Sequence, residues 1–235
     1  MIIGACSGSG PTFDEIREAA GSVIGEEGGG GPLSADEITR GLKEALATGS
    51  SAVVAQLGTA GGFANDPAVH IPLPASLIKA RDLASKVGLE GRFDDLEARL
   101  NRAAETATPR AKALFLGAIR SMTVEDARGI LAGADDAATE YFRARTGSDL
   151  RAEMRPLVDQ ALSQVGAVNT FNQLMARYER IPLAPKVNAD LTGHVVDEGI
   201  DGIFLYLARE EKAIRENPLK RTSEILRRVF GSADA

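Results

Sequence analysis

Apolar residues recur along most of the chain at intervals of three and four, the spacing of one face of an α-helix. The first such face carries Ile38 and Leu42. Ser34 and Glu37 stand three residues apart at its start, the arrangement of a capping box at a helix N-terminus. The pattern therefore predicts a long first helix that begins after Ser34 and ends near Leu57. Thr123 and Asp126 have the same spacing and resemble a short cap, so another helix is expected to begin at Val124.

Similar faces follow one another towards the end of the chain, and no segment alternates apolar and polar residues with the period of two that is typical of strands. The segment 203–208 is apolar on all sides, so its helix is expected to be central and surrounded. Gly199 and Gly202 would let neighbouring backbones approach that helix closely. The predicted fold is all-α: a compact bundle of about nine or ten helices with almost no sheet.

Breaks are predicted in the middle of the chain. Gly147 is expected to end one helix, and Ser148 is expected to cap the next. Pro156 should then kink or divide that second helix, because proline lacks an amide donor and clashes inside a helix.

The domain organisation follows from where these faces begin and end. Residues 1–33 are predicted to be a flexible tail with a short helix near 13–23, because the four glycines and the proline at 28–32 hold no regular structure. Residues 34–231 are predicted to be a single all-helical domain, with a last amphipathic helix near 225–230. Residues 232–235 form a short C-terminal tail. The longest loop inside the domain is expected at 58–74.

Composition and charge exclude several functions. The chain has 33 acidic and 27 basic side chains and a net charge of -6, whereas a nucleic-acid partner needs a concentrated basic surface. No run of 18 apolar residues predicts a membrane span. The single cysteine cannot form an intramolecular disulfide. Neither a phosphate-binding loop nor a nucleophile elbow occurs, and no cofactor is expected.

The N-terminus suggests a lipid anchor. The segment 3–6 reads Ile-Gly-Ala-Cys, which has the small-residue spacing of a bacterial lipoprotein cleavage site, with Cys6 as the acylated residue. The charged and apolar regions of a signal peptide do not precede it. Either the true start lies upstream and the protein is periplasmic or membrane-anchored, or the protein is cytoplasmic and Cys6 is a free thiol.

One helix face carries His194, Asp197, Glu198 and Asp201 at spacings of three, four and seven. Such a face could bind a divalent metal, but bundle metal sites normally take matching ligands from a second helix, and no second motif of this kind occurs. The alternative is the solvated side of an amphipathic helix, and we assign no metal ligand.

Two further groups are candidates for a polar ligand site. Asp135 and Asp136 could work as a pair of acid–base carboxylates, although two acids in the first turn of a helix are explained equally well by capping and by the helix dipole. Asn101, Arg102 and Glu105 could form an inward-facing binding group, or a hydrogen-bond network that is purely structural.

Several stretches of the domain share the pattern of a known family. They are 41–46 (GLKEAL), 70–74 (HIPLP), 101–105 (NRAAE), 111–115 (AKALF), 123–127 (TVEDA), 135–139 (DDAAT), 201–204 (DGIF), 210–212 (EEK) and 217–218 (NP). In these residues the chain resembles an uncharacterised bacterial family of all-helical domains of unknown function, over 33–231. The resemblance matches at Asp201 and departs at His194. It implies export or a lipoprotein signal, and no activity, substrate or catalytic residue.

We therefore expect a non-enzymatic bacterial envelope protein that binds a small apolar ligand or a protein partner, with membrane contact only through an anchor at Cys6. One alternative is a carboxylate-dependent or metal-dependent enzyme, and another is a structural or assembly module. The candidate ligand-binding residues are Asn101, Arg102, Glu105, Asp135, Asp136 and Asp201.

Overall fold

The structure is a computed structural model and describes residues 34–216. Within this range it contains eight α-helices: α1 (Ala35–Leu57), α2 (Ala75–Ala84), α3 (Glu90–Ala107), α4 (Ala111–Ser121), α5 (Val124–Ala132), α6 (Ala137–Gln164), α7 (Ala167–Tyr178) and α8 (Leu191–Glu216). Two short 3-10 helices, Ser85–Val87 and Thr108–Arg110, follow α2 and α3. The described part of the chain has no strand, so the predicted all-α class is confirmed.

The eight α-helices of residues 34–216 are fewer than the nine or ten that the sequence predicts for the bundle. The helices expected near 13–23 and 225–230, and Cys6 with its proposed anchor, lie outside the described residues. Within residues 34–216 the difference comes from α6, which is one helix of 28 residues where the sequence predicts two.

Local capping signals determine where α1 and α5 begin. The Ser34 hydroxyl accepts a hydrogen bond from the Glu37 N–H at 3.3 Å, and the Glu37 carboxylate accepts the Ser34 N–H at 2.8 Å. Thr123 and Asp126 form the same reciprocal pair at the start of α5. Each box supplies partners to amides that a helix N-terminus leaves unpaired, and the predicted starts of both helices are confirmed.

The predicted helix boundary at Gly147 and Ser148 is wrong, and Pro156 does not divide the helix, because α6 runs through all three positions. The reason is a continuous buried stripe at intervals of four residues along this helix: Phe142, Thr146, Leu150, Met154 and Val158. Burial of that stripe stabilises helix on both sides of the breakers, and tertiary packing of this kind overrides local propensity.

The core is centred on the packing of α6 against α8, and α8 also contacts α1 and α3. Phe115 lies edge-to-face with Phe142 and Phe204, with ring centroids 6.2 Å and 5.9 Å apart. Segment 203–208, however, is buried on one side only, because Phe204 is buried whereas Leu205 is 38% exposed. The expectation of a helix surrounded on all sides is therefore wrong, because the outer face of α8 here meets solvent.

Gly202 of α8 makes room for side chains of the long loop, and not for another backbone as the sequence suggested. A Cβ at this position would lie 3.0 Å from Phe63 and 3.2 Å from Val69. Both residues belong to the segment 58–74, which contains no α-helix. The loop therefore packs directly on α8, and this contact positions the site described next. None of the described helices is both long and apolar enough to cross a membrane.

Candidate functional site

Helix α3 presents three polar side chains to the loop 58–74. Glu97, Asn101 and Glu105 are separated by four residues each, so they lie along one stripe of the helix. Apolar neighbours on α3, among them Leu100 and Ala104, are buried in the core and hold the helix in place. We call Glu97, Asn101 and Glu105 the α3 ladder.

Glu105 binds the first part of the loop with a carboxylate that is only 2% exposed. Its Oε1 accepts hydrogen bonds from the N–H groups of Gly61, Phe63 and Ala64 at 3.0, 3.3 and 3.2 Å. Its Oε2 accepts one from Nη1 of Arg102 at 3.2 Å. A buried charge is tolerated when it is paired and hydrogen-bonded in this way.

Asn101 is fully buried and pairs with the backbone of Ile71 as a neighbouring strand would. Its Oδ1 accepts the Ile71 N–H at 2.9 Å, and its Nδ2 donates to the Ile71 carbonyl at 2.8 Å. Nδ2 also donates to the carbonyl of Glu97 at 2.9 Å. Both polar atoms of the amide are therefore engaged inside the protein.

Glu97 binds the last part of the loop. Its Oε2 accepts the Leu73 N–H at 3.2 Å, and its Oε1 lies 3.0 Å from Nε2 of His70. Nδ1 of the same imidazole lies 3.2 Å from the carbonyl oxygen of Ala64. Both ring nitrogens face acceptors, so His70 can donate to both only as the imidazolium.

Helix α8 holds the loop from a second direction. The Tyr206 hydroxyl donates a hydrogen bond to Asp66, and this bond lowers the pKa of Asp66 and raises the pKa of Tyr206. The Ala68 N–H also donates to Asp66, at 2.9 Å, which lowers the pKa of Asp66 further. The guanidinium of Arg209 lies 5.1 Å from the centre of the Tyr206 ring.

The backbone at the start of the loop requires glycine. Gly61 has a φ of 85°, a conformation that side chains disfavour. A Cβ at Gly62 would lie 2.4 Å from the Leu57 carbonyl oxygen. Gly61 and Gly62 thus allow the backbone to turn so that the loop amides face Glu105 of the α3 ladder.

The most exposed residues of the loop are small and uncharged, and the one carboxylate of the loop, Asp66, is half-buried. The exposed residues other than glycine there are Thr59, Ala60, Ala64, Asn65, Pro67, Ala68 and Pro72. The polar atoms of the ladder point inward to the loop backbone, so this outer face is shaped by the loop and not by the ladder side chains.

Asp135 and Asp136 are exposed and precede α6. Asp136 stands at the N-cap position, but its side chain makes no capping hydrogen bond. Glu211 of α8 does so instead: it accepts the N–H groups of Ala138 and Thr139, both at 2.9 Å. Capping by the aspartate pair, which the sequence suggested, is therefore wrong.

Glu211 was missed by the sequence analysis. It is buried between α6 and α8 and also binds Nη2 of Arg215 at 2.9 Å. The available signal was its position on the buried stripe of α8, between Leu207 and Ile214. An acidic residue on an apolar stripe indicates a buried partner, because an unpaired buried carboxylate is costly.

The helix face that was considered for metal binding carries ion pairs between α6 and α8. Asp197 lies 2.7 Å from Arg151, and Asp201 lies 3.0 Å from Arg143. His194 donates from Nε2 to the Pro72 carbonyl at 2.7 Å. In residues 34–216 no group of three or more His, Cys, Asp or Glu could hold a metal ion.

A small cavity lies where α1, α6 and α8 meet. It measures about 20 Å³ and is lined in part by Ser50, Thr139, Phe142 and Glu211. The Ser50 hydroxyl is buried there and has no hydrogen-bond partner. This volume is about that of one water molecule, far less than a lipid chain occupies.

The structure thus brings together Asn101, Arg102 and Glu105, and it adds Glu97 and His70, which the sequence analysis did not select for this group. The other candidates are placed elsewhere. The side chain of Asp201 pairs with Arg143 on the α6 face, and Asp135 and Asp136 lie in the exposed turn before α6.

The comparisons with known proteins give a family and no activity. The family model described as a protein of unknown function (DUF4197) matches residues 32–231. No curated protein and no solved structure matches this chain. The matched range contains the whole α3 ladder, the loop that it holds and the Glu211 cap. Because the match covers most of the sequence, the chain belongs to the DUF4197 family.

Proposed function

We propose that this domain is a non-catalytic recognition module of the bacterial cell envelope that binds a partner protein through the outer face of the loop 58–74. The observation that carries the proposal is that two helices hold this loop by hydrogen bonds. The α3 ladder binds it from one side, and Tyr206 of α8 binds it from the other. A loop held in one conformation loses little entropy on binding, which favours affinity, and binding residues are often found on loops positioned by a rigid scaffold.

The engagement of the ladder supports binding by the loop over catalysis by the ladder. Glu105 and Asn101 are buried, and their oxygens accept hydrogen bonds from loop amides. A general acid or base must reach a substrate proton, and these groups are turned away from the outer surface. The adjacent carboxylates Asp135 and Asp136, which were also candidates for acid–base chemistry, are exposed to solvent.

A partner protein is favoured over an enclosed apolar ligand. Sites for drug-sized ligands measure about 300–1,000 Å³. The cavity beside Ser50 measures about 20 Å³, and the depressions of 360–440 Å³ on the described residues are open to solvent and do not enclose a ligand. The outer face of the loop offers uncharged residues such as Ala60, Pro67 and Ala68, which lose little side-chain entropy when they are covered.

Crosslinking in the native host tests the loop. A photo-crosslinking amino acid at position 68 of the full chain is expected to give one discrete adduct, whereas the same amino acid at Ala152, exposed on α6, gives none. Adding Glu105→Ala should weaken the adduct from position 68, because the loop amides lose their acceptor. Adducts of equal yield from positions 68 and 152 would contradict the proposal. Position 60 is a second probe of the loop, and the absence of an adduct from both position 60 and position 68 would also contradict the proposal. An adduct of twice the mass of the chain indicates self-assembly instead.

The envelope location rests on the spacing around Cys6 and has its own test. Cells that express the protein with its upstream sequence are grown with an alkyne-bearing fatty acid, and labelling of the purified chain is measured. Labelling that Cys6→Ser abolishes supports the anchor, and labelling that survives this change refutes it.

A further inference from the structure

Leu183 combines full exposure with a strained backbone. Its side chain is 101% exposed, and its φ of 60° is the only positive φ of a non-glycine residue in the described part of the chain. Both features are unfavourable for a leucine, because its side chain gains nothing from burial and its Cβ crowds the backbone in this conformation.

The strain comes from a tight turn. The N–H of Ala184 donates to the Ile181 carbonyl at 3.2 Å, which places Pro182 second and Leu183 third in a four-residue turn. Proline in the second position and a positive φ in the third are features of a type II turn, where glycine is the favoured third residue. A leucine at this position indicates a role outside the stability of the fold.

The same tripeptide elsewhere in the chain behaves in the opposite way. The sequence Ile-Pro-Leu occurs at 71–73 and again at 181–183. Ile71 and Leu73 are buried, whereas Leu183 points into solvent. Local sequence therefore does not force the leucine outward, and the turn at 181–184 is what presents it.

The surroundings of Leu183 are apolar and basic. A groove beside the turn is lined by Val87, Leu89, Arg177, Arg180, Ile181 and Pro182. Val87 is 56% exposed. No ion pair joins Arg177 or Arg180 to a carboxylate within residues 34–216. We call these six residues together with Leu183 the Leu183 patch.

The charge near the patch is positive, although the chain as a whole carries -6. From 177 to 186 the charged residues are Arg177, Glu179, Arg180 and Lys186, all exposed, three basic and one acidic. A locally basic surface on an acidic protein orients that surface towards an anionic partner.

We propose that the Leu183 patch contacts the surface of an anionic lipid bilayer, with Leu183 inserted at the boundary of the acyl chains and the two arginines at the lipid phosphates. Cations near an anionic bilayer surface strengthen binding, and arginine suits phosphate recognition. A protein-binding hot spot is instead ringed by contacts that exclude water, whereas the Leu183 side chain is fully exposed and no neighbour in the patch shields it from water. The proposal does not depend on recognition by the loop 58–74 or on acylation of Cys6.

The test uses the full chain carrying Cys6→Ser, so that no acyl group contributes. Sedimentation with large vesicles of phosphatidylglycerol and phosphatidylcholine in equal parts is compared with sedimentation with phosphatidylcholine alone. Binding is expected with the anionic vesicles only, and it should weaken as salt is added.

Two variants and a matched control separate the contributions. Leu183→Gly should lower the partition coefficient about tenfold, and it retains the fold because glycine accepts the positive φ. The double variant Arg177→Gln with Arg180→Gln should lower it by at least about tenfold. Val168→Ser changes an exposed apolar residue at the opposite end of α7 and should leave binding unchanged.

Several outcomes overturn the proposal. They are the absence of binding to anionic vesicles, equal binding to both vesicle types, and unchanged binding of Leu183→Gly. Binding to polyglutamate that depends on Leu183 and exceeds binding to vesicles assigns the patch to an acidic protein instead. As an independent readout, an environment-sensitive dye on Leu183→Cys should shift to shorter wavelength with vesicles, whereas the dye on Val168→Cys should not.

Discussion

Oε2 of Glu211 accepts hydrogen bonds from both the backbone N–H and the hydroxyl of Thr139, each at 2.9 Å. The first turn of α6 is thus capped by a side chain 72 residues later in the chain. A carboxylate at this end of a helix also interacts favourably with the helix dipole. This contact joins the two helices that form the centre of the core.

Removing the cap is expected to be costly. Glu211→Ala leaves two buried amides without their acceptor and removes the Glu211–Arg215 ion pair, so the free energy of unfolding should fall by about 3 kcal/mol. Asp136→Ala is the control at the formal N-cap position and should change it by less than about 0.5 kcal/mol, as surface substitutions do. Urea denaturation measures both, and equal effects would refute the assignment of the cap to Glu211.

The ladder makes a prediction about local motion. Glu105→Gln keeps the shape of the side chain but removes the charge that three loop amides share, so hydrogen exchange at Gly61, Phe63 and Ala64 should accelerate. Exchange in the middle of α6 should not change. Arg102→Gln removes a half-exposed partner and should have a much smaller effect. If the loop amides exchange as in the wild type, the ladder does not hold the loop.

The Asp66–Tyr206 pair predicts pH dependence at two extremes. The hydrogen bond lowers the pKa of Asp66, so its stabilisation is complete above the unfolded-state pKa and is lost as pH falls through the folded-state pKa. The pKa of Tyr206 is raised, so its stabilisation is complete below the unfolded-state pKa and is lost as pH rises through the folded-state pKa. Tyr206→Phe should make the free energy of unfolding depend less on pH at both the acidic and the alkaline end. If the pH profile of the variant has the same shape as that of the wild type, the Asp66–Tyr206 hydrogen bond does not cause this dependence.

Ser50 offers a route to a more stable protein. Its buried hydroxyl has no partner, and a buried polar group of this kind costs about 1–3 kcal/mol. Ser50→Ala should therefore raise the free energy of unfolding by about 1 kcal/mol, measured by thermal and urea denaturation. Ser121→Ala is the comparison, since that exposed hydroxyl donates to the Ala118 carbonyl at 2.9 Å, and it should not stabilise.

Leu183 should also be replaceable with a gain in stability. A left-handed conformation costs a non-glycine residue roughly 1–2 kcal/mol, and the entropy of glycine in the unfolded chain offsets about 0.5–1 kcal/mol of this. Leu183→Gly should thus raise the melting temperature slightly, whereas Val168→Gly inside α7 should lower it. A fall in melting temperature for Leu183→Gly would show that the leucine contributes to folding.

How much the sequence predicts depends on the range of the interaction. The capping boxes at Ser34 and Thr123 act over three residues, and both were found. A boundary at Gly147 and a division at Pro156 were predicted from equally local rules and do not occur, because the buried stripe of α6 packs against other helices. Such packing cannot be read from a short window.

The site shows the same division. Asn101, Arg102 and Glu105 were selected because they are close in sequence, but the partners of Asn101 and Glu105 on the loop lie 30 to 44 residues away. Glu97 and His70 complete the group and were not linked to it. The spacing of four between Glu97, Asn101 and Glu105 was the available signal.

The cap on α6 has a consequence for synthesis of the chain. Thr139 leaves the ribosome 72 residues before Glu211. Until α8 has been synthesised, the first turn of α6 therefore has no cap from Glu211, and the apolar stripe of α6 is not covered by α8. During that interval the growing chain presents Phe142, Leu150 and Val158 to other polypeptides, as incomplete domains do. A chain released before α8 is made is therefore a natural substrate for chaperones and proteases.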